Sequence, residues 1–233
     1  MTSTVPALGT RTAEGSALQA VLLDMDGTLV DTEGFWWDVE VEIFKTLGHT
    51  LDESWRQVVV GGPMSRSANF LIEATGADIT FDELSVLLND GFERRIGTAL
   101  PLMPGASRLL AELAAHRIPT ALVSASHRRI IDRILASLGP QYFTLTVAGD
   151  EVERTKPFPD PYLLAAAGLS ADPARCAVIE DTATGVAAAE AAGCQVVAVP
   201  SVAPISAAAR RTVVTSLEEV DLAFLRGLMT EMR

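Results

Sequence analysis

Beyond Pro101, Pro104 and Gly105, short apolar runs and helix-length segments follow one another in strict turn as far as residue 199. The spacing predicts helices over residues 105–116, 127–138, 159–167 and 182–192, the last two closed by Gly168 and Gly193. Between them, residues 119–124, 144–148, 176–180 and 195–199 read as strands. Strands joined through helices pair in parallel, by right-handed crossovers that cover both faces of the sheet. An earlier run, Val21-Leu22-Leu23, is too short for a helix and stops at Asp24, so it reads as one more strand of the same sheet. The expected class is α/β: a Rossmann-like parallel sheet with helices on both faces, interrupted after its first strand.

The interruption, residues 33–99, shows helical spacing and no strand alternation. Trp37, Val41 and Phe44 recur at three- and four-residue steps, as do Phe81, Leu84, Leu87 and Leu88, leading on to Phe92. We therefore expect residues 17–32 and 100–233 to form the sheet domain and 33–99 an inserted helical domain, with Trp36, Trp37 and Trp55 in its core. Residues 1–16 mix Thr, Ser, Pro, Gly and Glu without the apolar stretch of an export signal, and read as a loose tail. The 233 residues are 48% hydrophobic, enough for a real core. No apolar run reaches the length of about eighteen residues that a membrane span needs.

A net charge of −12 leaves no broad basic surface, which argues against binding nucleic acid or an anionic membrane. It also disfavours aggregation, leaving a monomer or a small homo-oligomer equally open. Cys176 and Cys194, the only cysteines, sit in apolar surroundings without metal-ligand spacing. They read as buried thiols in a reducing, cytoplasmic compartment.

Parallel strands share one carboxyl edge, and that is where ligands bind in such sheets. After the first strand this chain places Asp24-Met25-Asp26-Gly27-Thr28, with Gly27 suited to a sharp turn that brings amides close to an anion. After the second comes Ser124, after the third Lys156, and after the fourth Glu180 and Asp181. Four carboxylates in one crevice must take up protons or a cation, and all-oxygen ligands favour Mg²⁺ over Zn²⁺ or Cu²⁺. Lys156 stands out because the only other lysine is Lys45, and Pro157 and Pro159 fix the backbone that follows it. Ser126 could cap the helix that begins near residue 127, and Thr182 the one after Asp181, where Gly185 would allow a close approach. His127, His49 and His116 read as surface residues near helix ends.

In this order, the residues resemble the haloacid dehalogenase superfamily of aspartate-nucleophile phosphotransferases. Within it they match members with a helical cap after the first motif, the group of beta-phosphoglucomutase and many sugar phosphatases. Asp24-Met-Asp26-Gly-Thr28 looks like the first motif, Ser124 the second, Lys156 with its Pro-Phe-Pro-Asp the third and Glu180-Asp181 the fourth. The resemblance implies that Asp24 is the nucleophile and Asp26 the general acid and base. Ser124 and Lys156 would hold the phosphoryl oxygens together with amides around Met25, Asp26 and Ala125. Mg²⁺ would be held by Asp24, the Asp26 carbonyl and Asp181, with Glu180 contributing directly or through water. Asp26 argues for phosphoryl transfer over dehalogenation, since an alkoxide leaving group needs a proton and a halide does not.

The expected activity is hydrolysis of a small phosphomonoester, a sugar phosphate first among them, selected by cap residues among Trp36, Met64, Arg66 and Asn69. A mutase would be expected to carry a histidine, an arginine and a lysine for a second phosphate. Those places fall near Trp36, Met64 and Leu88, with Arg66 close to the second. A binding or regulatory module that retains the fold is the remaining alternative.

Overall fold

The computed structural model describes residues 17–59, 64–96, 100–201 and 203–230; the expected tail at 1–16 lies outside them. Its centre is a six-stranded sheet of β1 (Ala20–Leu23), β2 (Thr120–Val123), β3 (Leu145–Val147), β4 (Cys176–Glu180), β5 (Gln195–Ala198) and β6 (Arg211–Val213). The spatial order is β3-β2-β1-β4-β5-β6 and every pairing is parallel. β1 lies between β2 and β4, with Leu22 opposite Ala121 on one side and Val178 on the other. This is the α/β Rossmann-like architecture expected of the alternating pattern.

Strand side chains alternate between faces, and both faces are covered. Val21, Leu23, Ile179 and Val197 pack with Leu109, Leu110 and Leu113 of α5 (Ala106–Ala115) and Ile130, Ile131 and Ile134 of α6 (Arg128–Leu138). Ala20, Leu22, Val178 and Val196 face the other way, onto Tyr162, Ala165 and Ala166 of α7 (Asp160–Gly168) and Val186, Ala188 and Ala189 of α8 (Ala183–Ala191). Both cysteines are free and buried on this second face. Thr182 caps α8 through its side chain, as expected, accepting from the Gly185 amide.

Three local expectations need correction. The residue capping α6 is His127, without a side-chain bond, whereas the Ser126 hydroxyl is spent on Asp26 at 2.9 Å. Gly168 is the last residue of α7 itself, and the left-handed residue beyond it is Ser170 at φ 54°. Beyond Val199 the chain adds β6 and α9 (Leu222–Leu228), which were not anticipated. β6 is three half-buried residues on the sheet edge, too short for alternation to show, although Asp221 caps α9 in the usual way.

The insertion consists of α1 (Glu33–Thr46), α2 (Arg56–Val59), α3 (Met64–Thr75) and α4 (Phe81–Arg95) among the described residues. Its two connections to the sheet domain are hydrogen-bonded to each other, Asp31 N to Pro101 O at 2.9 Å and Met103 N to Leu29 O at 2.9 Å. Trp37, Ile43, Phe44, Leu71, Leu84, Leu88 and Phe92 form its interior, continuous with one core of the sheet domain. Val41 and Leu87, expected inside, are each 38% exposed; Glu40 takes the inward place on α1. Across the junction Arg129 on α6 pairs with Asp90 and Glu93 of α4 at 2.5 and 3.1 Å, and Arg133 with Glu93 at 2.9 Å. No helix of the described residues is long and apolar enough to cross a membrane.

Candidate active site

Hydrogen bonding continues one step past several strands and fixes where their last side chains point. Asp24 N donates to Ile179 O, Ser124 N to Val147 O and Val199 N to Glu180 O. Asp24, Ser124, Lys156, Glu180 and Asp181 are all buried at this edge, where a burial cost falls on every charge not matched by a partner.

Lys156 is the hub. Its Nζ donates to Asp24 Oδ1 at 2.6 Å, to Glu180 Oε1 at 2.7 Å and to the Val123 carbonyl at 2.9 Å. The phenol of Tyr162 donates to the same Glu180 oxygen at 2.6 Å. The other, Oε2, accepts from the Asp181 and Thr182 amides and the Thr182 hydroxyl. Glu180 is thus saturated by protein donors, while Asp24 Oδ2 has none among the described residues. A Cβ on Gly185 would fall onto the Glu180 carboxylate, which is why a glycine stands in the first turn of α8.

Asp26 faces a different set. Its Oδ1 accepts from Thr32 Oγ at 2.8 Å, and Oδ2 from Ser124 Oγ at 3.2 Å and Ser126 Oγ at 2.9 Å. Gly27 at φ 77° makes the turn between Asp26 and Thr28, and any side chain there would collide with Asp181. Asp181 accepts from Thr28 Oγ at 3.3 Å and Ser201 Oγ at 2.6 Å.

Burial first, and then the charge of Glu180, pushes Asp24 up to about 7 against the pull of Lys156. Asp181 is held well above the usual carboxylate range by burial and by Asp24 and Glu180. For Lys156, burial works against the charged form, but Asp24 and Glu180 outweigh it and the ammonium is held above its ordinary value. One ammonium among three carboxylates leaves an excess of negative charge. Asp24, Glu180 and Asp181 also each place an oxygen within 4.8 Å of the others. An oxygen-only cluster with that excess fits a hard divalent cation.

A cavity of about 430 Å³ lies between this edge and the insertion. Asp24, Asp26, Ser124, Ala125, Lys156 and Asp181 line it from below. Trp36 and Met64 line it from above, whereas Arg66 and Asn69 are exposed and outside it. Arg66 instead donates to the Val58 carbonyl at 2.7 Å. The Met25 side chain is buried in the core, so only its backbone is at the turn. Sequence reasoning missed Thr32, Ser126, Tyr162 and Ser201 as partners of the carboxylates. It also missed Glu33, Glu40, Ser67, Ser85 and Asn89 on the cap side, and His127 at the wall. Glu40 carried a signal, being four residues after Trp36 and so on the same helix face.

The family model of haloacid dehalogenase-like hydrolases matches residues 18–193. A bifunctional riboflavin kinase/FMN phosphatase of Arabidopsis thaliana is 37% identical over 183 residues, which are 78% of this chain and 48% of that protein. The mitochondrial (DL)-glycerol-3-phosphatase 1 of the same plant is 33% identical over 189 residues, 77% of this chain and 63% of the relative. The chain therefore spans about half to two thirds of the length of these two relatives. Among solved structures, CbbY from Rhodobacter sphaeroides in complex with phosphate superposes with a TM-score of 0.76 at 28% identity, covering 89% of this chain and 99% of that one. With most of its length matched by the family model and its motif carboxylates gathered at one sheet edge, the chain belongs to the haloacid dehalogenase-like hydrolase family.

Proposed function

We propose that the protein is a Mg²⁺-dependent phosphatase of small phosphomonoesters, a sugar phosphate first among them, acting through an aspartyl phosphate on Asp24. The observation that carries this reading is the position of Asp24: one oxygen is fixed by Lys156 and the other has no donor among the described residues. The two named relatives are phosphatases by their descriptions, which supports the same class.

Asp24 attacks phosphorus in line, forming a new P–O bond as the bond to the leaving oxygen breaks. Asp26, in its protonated form, gives its proton to that oxygen. As a carboxylate it then takes a proton from the water that attacks phosphorus, and the bond to Asp24 breaks to release inorganic phosphate. Ser124, Lys156 and the backbone amides of Met25, Asp26 and Ala125 hold the phosphoryl oxygens. Thr32 and Ser126 keep Asp26 aimed between turns. Mg²⁺ would be held by Asp24, the Asp26 carbonyl and Asp181; bound there, it offsets the charge of the carboxylates and of the phosphoryl group. Glu180 supports the site by orienting Lys156. An isomerase would need cap cations for a second phosphate, and the described cap residues lining the cavity include no lysine, arginine or histidine.

Incubation with Mg²⁺ and a panel of phosphomonoesters should release inorganic phosphate, with chelator or Asp24→Asn reducing it to background. Interconversion of glucose phosphates without release would replace this reading with the isomerase.

A further inference from the structure

The cap side of the cavity carries polar groups but, among the described residues, no cation. Glu33, Trp36 and Glu40 lie at i, i+3 and i+7 of α1, on one face. Trp36 stacks on Phe92 of α4 at 3.8 Å between ring centroids, which brings the Ser85–Asn89 face of α4 against the same space. Glu40 is 6% exposed and has neither hydrogen bond nor ion pair among the described residues. Burial alone pushes its carboxyl up to about 8. Asn89 is 1% exposed, and its Nδ2 donates to Ser85 O at 2.8 Å, which settles which way the amide points. Its Oδ1 is buried with no partner among the described residues, and so is Oε1 of Glu33.

Buried polar atoms are rarely left unpaired, so orphans at a cavity wall mark where a ligand's polar atoms go. Resting on the phosphatase reading, we propose that Glu40 and Asn89 form a specificity site for an uncharged, hydroxyl-bearing end of the phosphomonoester, and that the site rejects esters with a second anionic group. A hydroxyl donates its proton to Asn89 Oδ1 or Glu40 and completes their hydrogen bonding. A carboxylate or second phosphate brings a further negative charge into a cavity already lined by Asp24, Asp26, Asp181, Glu33 and Glu40, with no cap cation among the described lining residues to receive it. With its own carboxyl protonated, Glu40 both donates to and accepts from a neutral hydroxyl.

Glycerol 3-phosphate and 3-phosphoglycerate form a matched pair, identical except that a CH₂OH in one is a carboxylate in the other. Wild-type kcat/KM should favour the first by at least about 100-fold, as a site built around a hydroxyl discriminates. Calorimetric binding to the Asp24→Asn protein should show the same order. At pH 9, where the wild-type Glu40 carboxyl is charged, Glu40→Gln, which cannot ionise, should narrow the ratio about tenfold through KM rather than kcat. Release from both esters with a ratio near one, or a preference for the carboxylate, would overturn the site and leave the phosphatase standing. Binding preference without release from either ester would leave the site standing and overturn the phosphatase. No binding preference in either protein overturns the site whatever the turnover.

Discussion

A single ammonium holds the buried edge together. Lys156→Met would leave Asp24 and Glu180 without their shared counter-charge, a change that costs roughly 3–5 kcal/mol when buried pairs are broken. Urea unfolding should show that loss at pH 8 and a smaller one at pH 5, where Asp24 takes up a proton. An unchanged midpoint at pH 8 would mean that the pair is not formed. Gly185→Ala tests the neighbouring contact from the other side. In an exposed helix that substitution stabilises by up to about 1 kcal/mol, but here the methyl group would displace Glu180 and with it Lys156. The expected outcome is lower stability and a fall in kcat of about tenfold or more. A more stable, fully active Gly185→Ala protein would show that α8 has room to spare.

Helix α4 meets α6 through Arg129, Arg133, Asp90 and Glu93, all partly exposed, so these pairs contribute little to folding. Replacing Glu93 by Gln should shift stability by less than about 1 kcal/mol. It should raise KM and remove part of its salt dependence, because the pairs hold the insertion over the cavity. At this scale the sequence was readable wherever chemistry and periodicity agreed. β1, β2 and β4 are apolar runs that stop at charged or hydroxyl residues, and both their class and their shared edge could be read directly. The Thr182 cap was readable for the same reason. Glu40 lies one turn from Trp36 on α1, but apolar spacing favours its neighbour Val41, and that spacing gives a carboxylate no inward place. Ser126 was misassigned because one hydroxyl can cap a helix or serve Asp26, and only the fold decides between them. Tyr162 and Ser201 reach their carboxylates from 18 and 20 residues away in sequence, a separation that leaves no local pattern.

For the molecule as a whole, raised carboxyl groups set how stability varies with pH. Asp24, at about 7, and Glu40, at about 8, hold protons in the folded state that the unfolded chain has already lost above about pH 4. Stability in chelator should therefore fall as pH rises from about 5 to 8, by up to about 1.4 kcal/mol per unit for each group within its window. Glu151, whose carboxyl is lowered by Arg128, titrates below that range and does not offset the trend. The proposed Mg²⁺ site requires deprotonated carboxylates, so on that reading stabilisation by Mg²⁺ should grow over the same interval, and urea midpoints at pH 5 and 8 with and without Mg²⁺ measure both. A midpoint in chelator that rises toward pH 8 would contradict this electrostatic picture. The most direct measurement of the chemistry is to quench a reacting mixture of wild-type protein, Mg²⁺ and phosphomonoester with acid, reduce it with borohydride and locate the modified residue by mass spectrometry. Reduction of an aspartyl phosphate leaves homoserine, which is expected at Asp24 and nowhere else; phosphate release with Asp24 unmodified, or modification at another residue, would contradict Asp24 as the group that receives the phosphoryl.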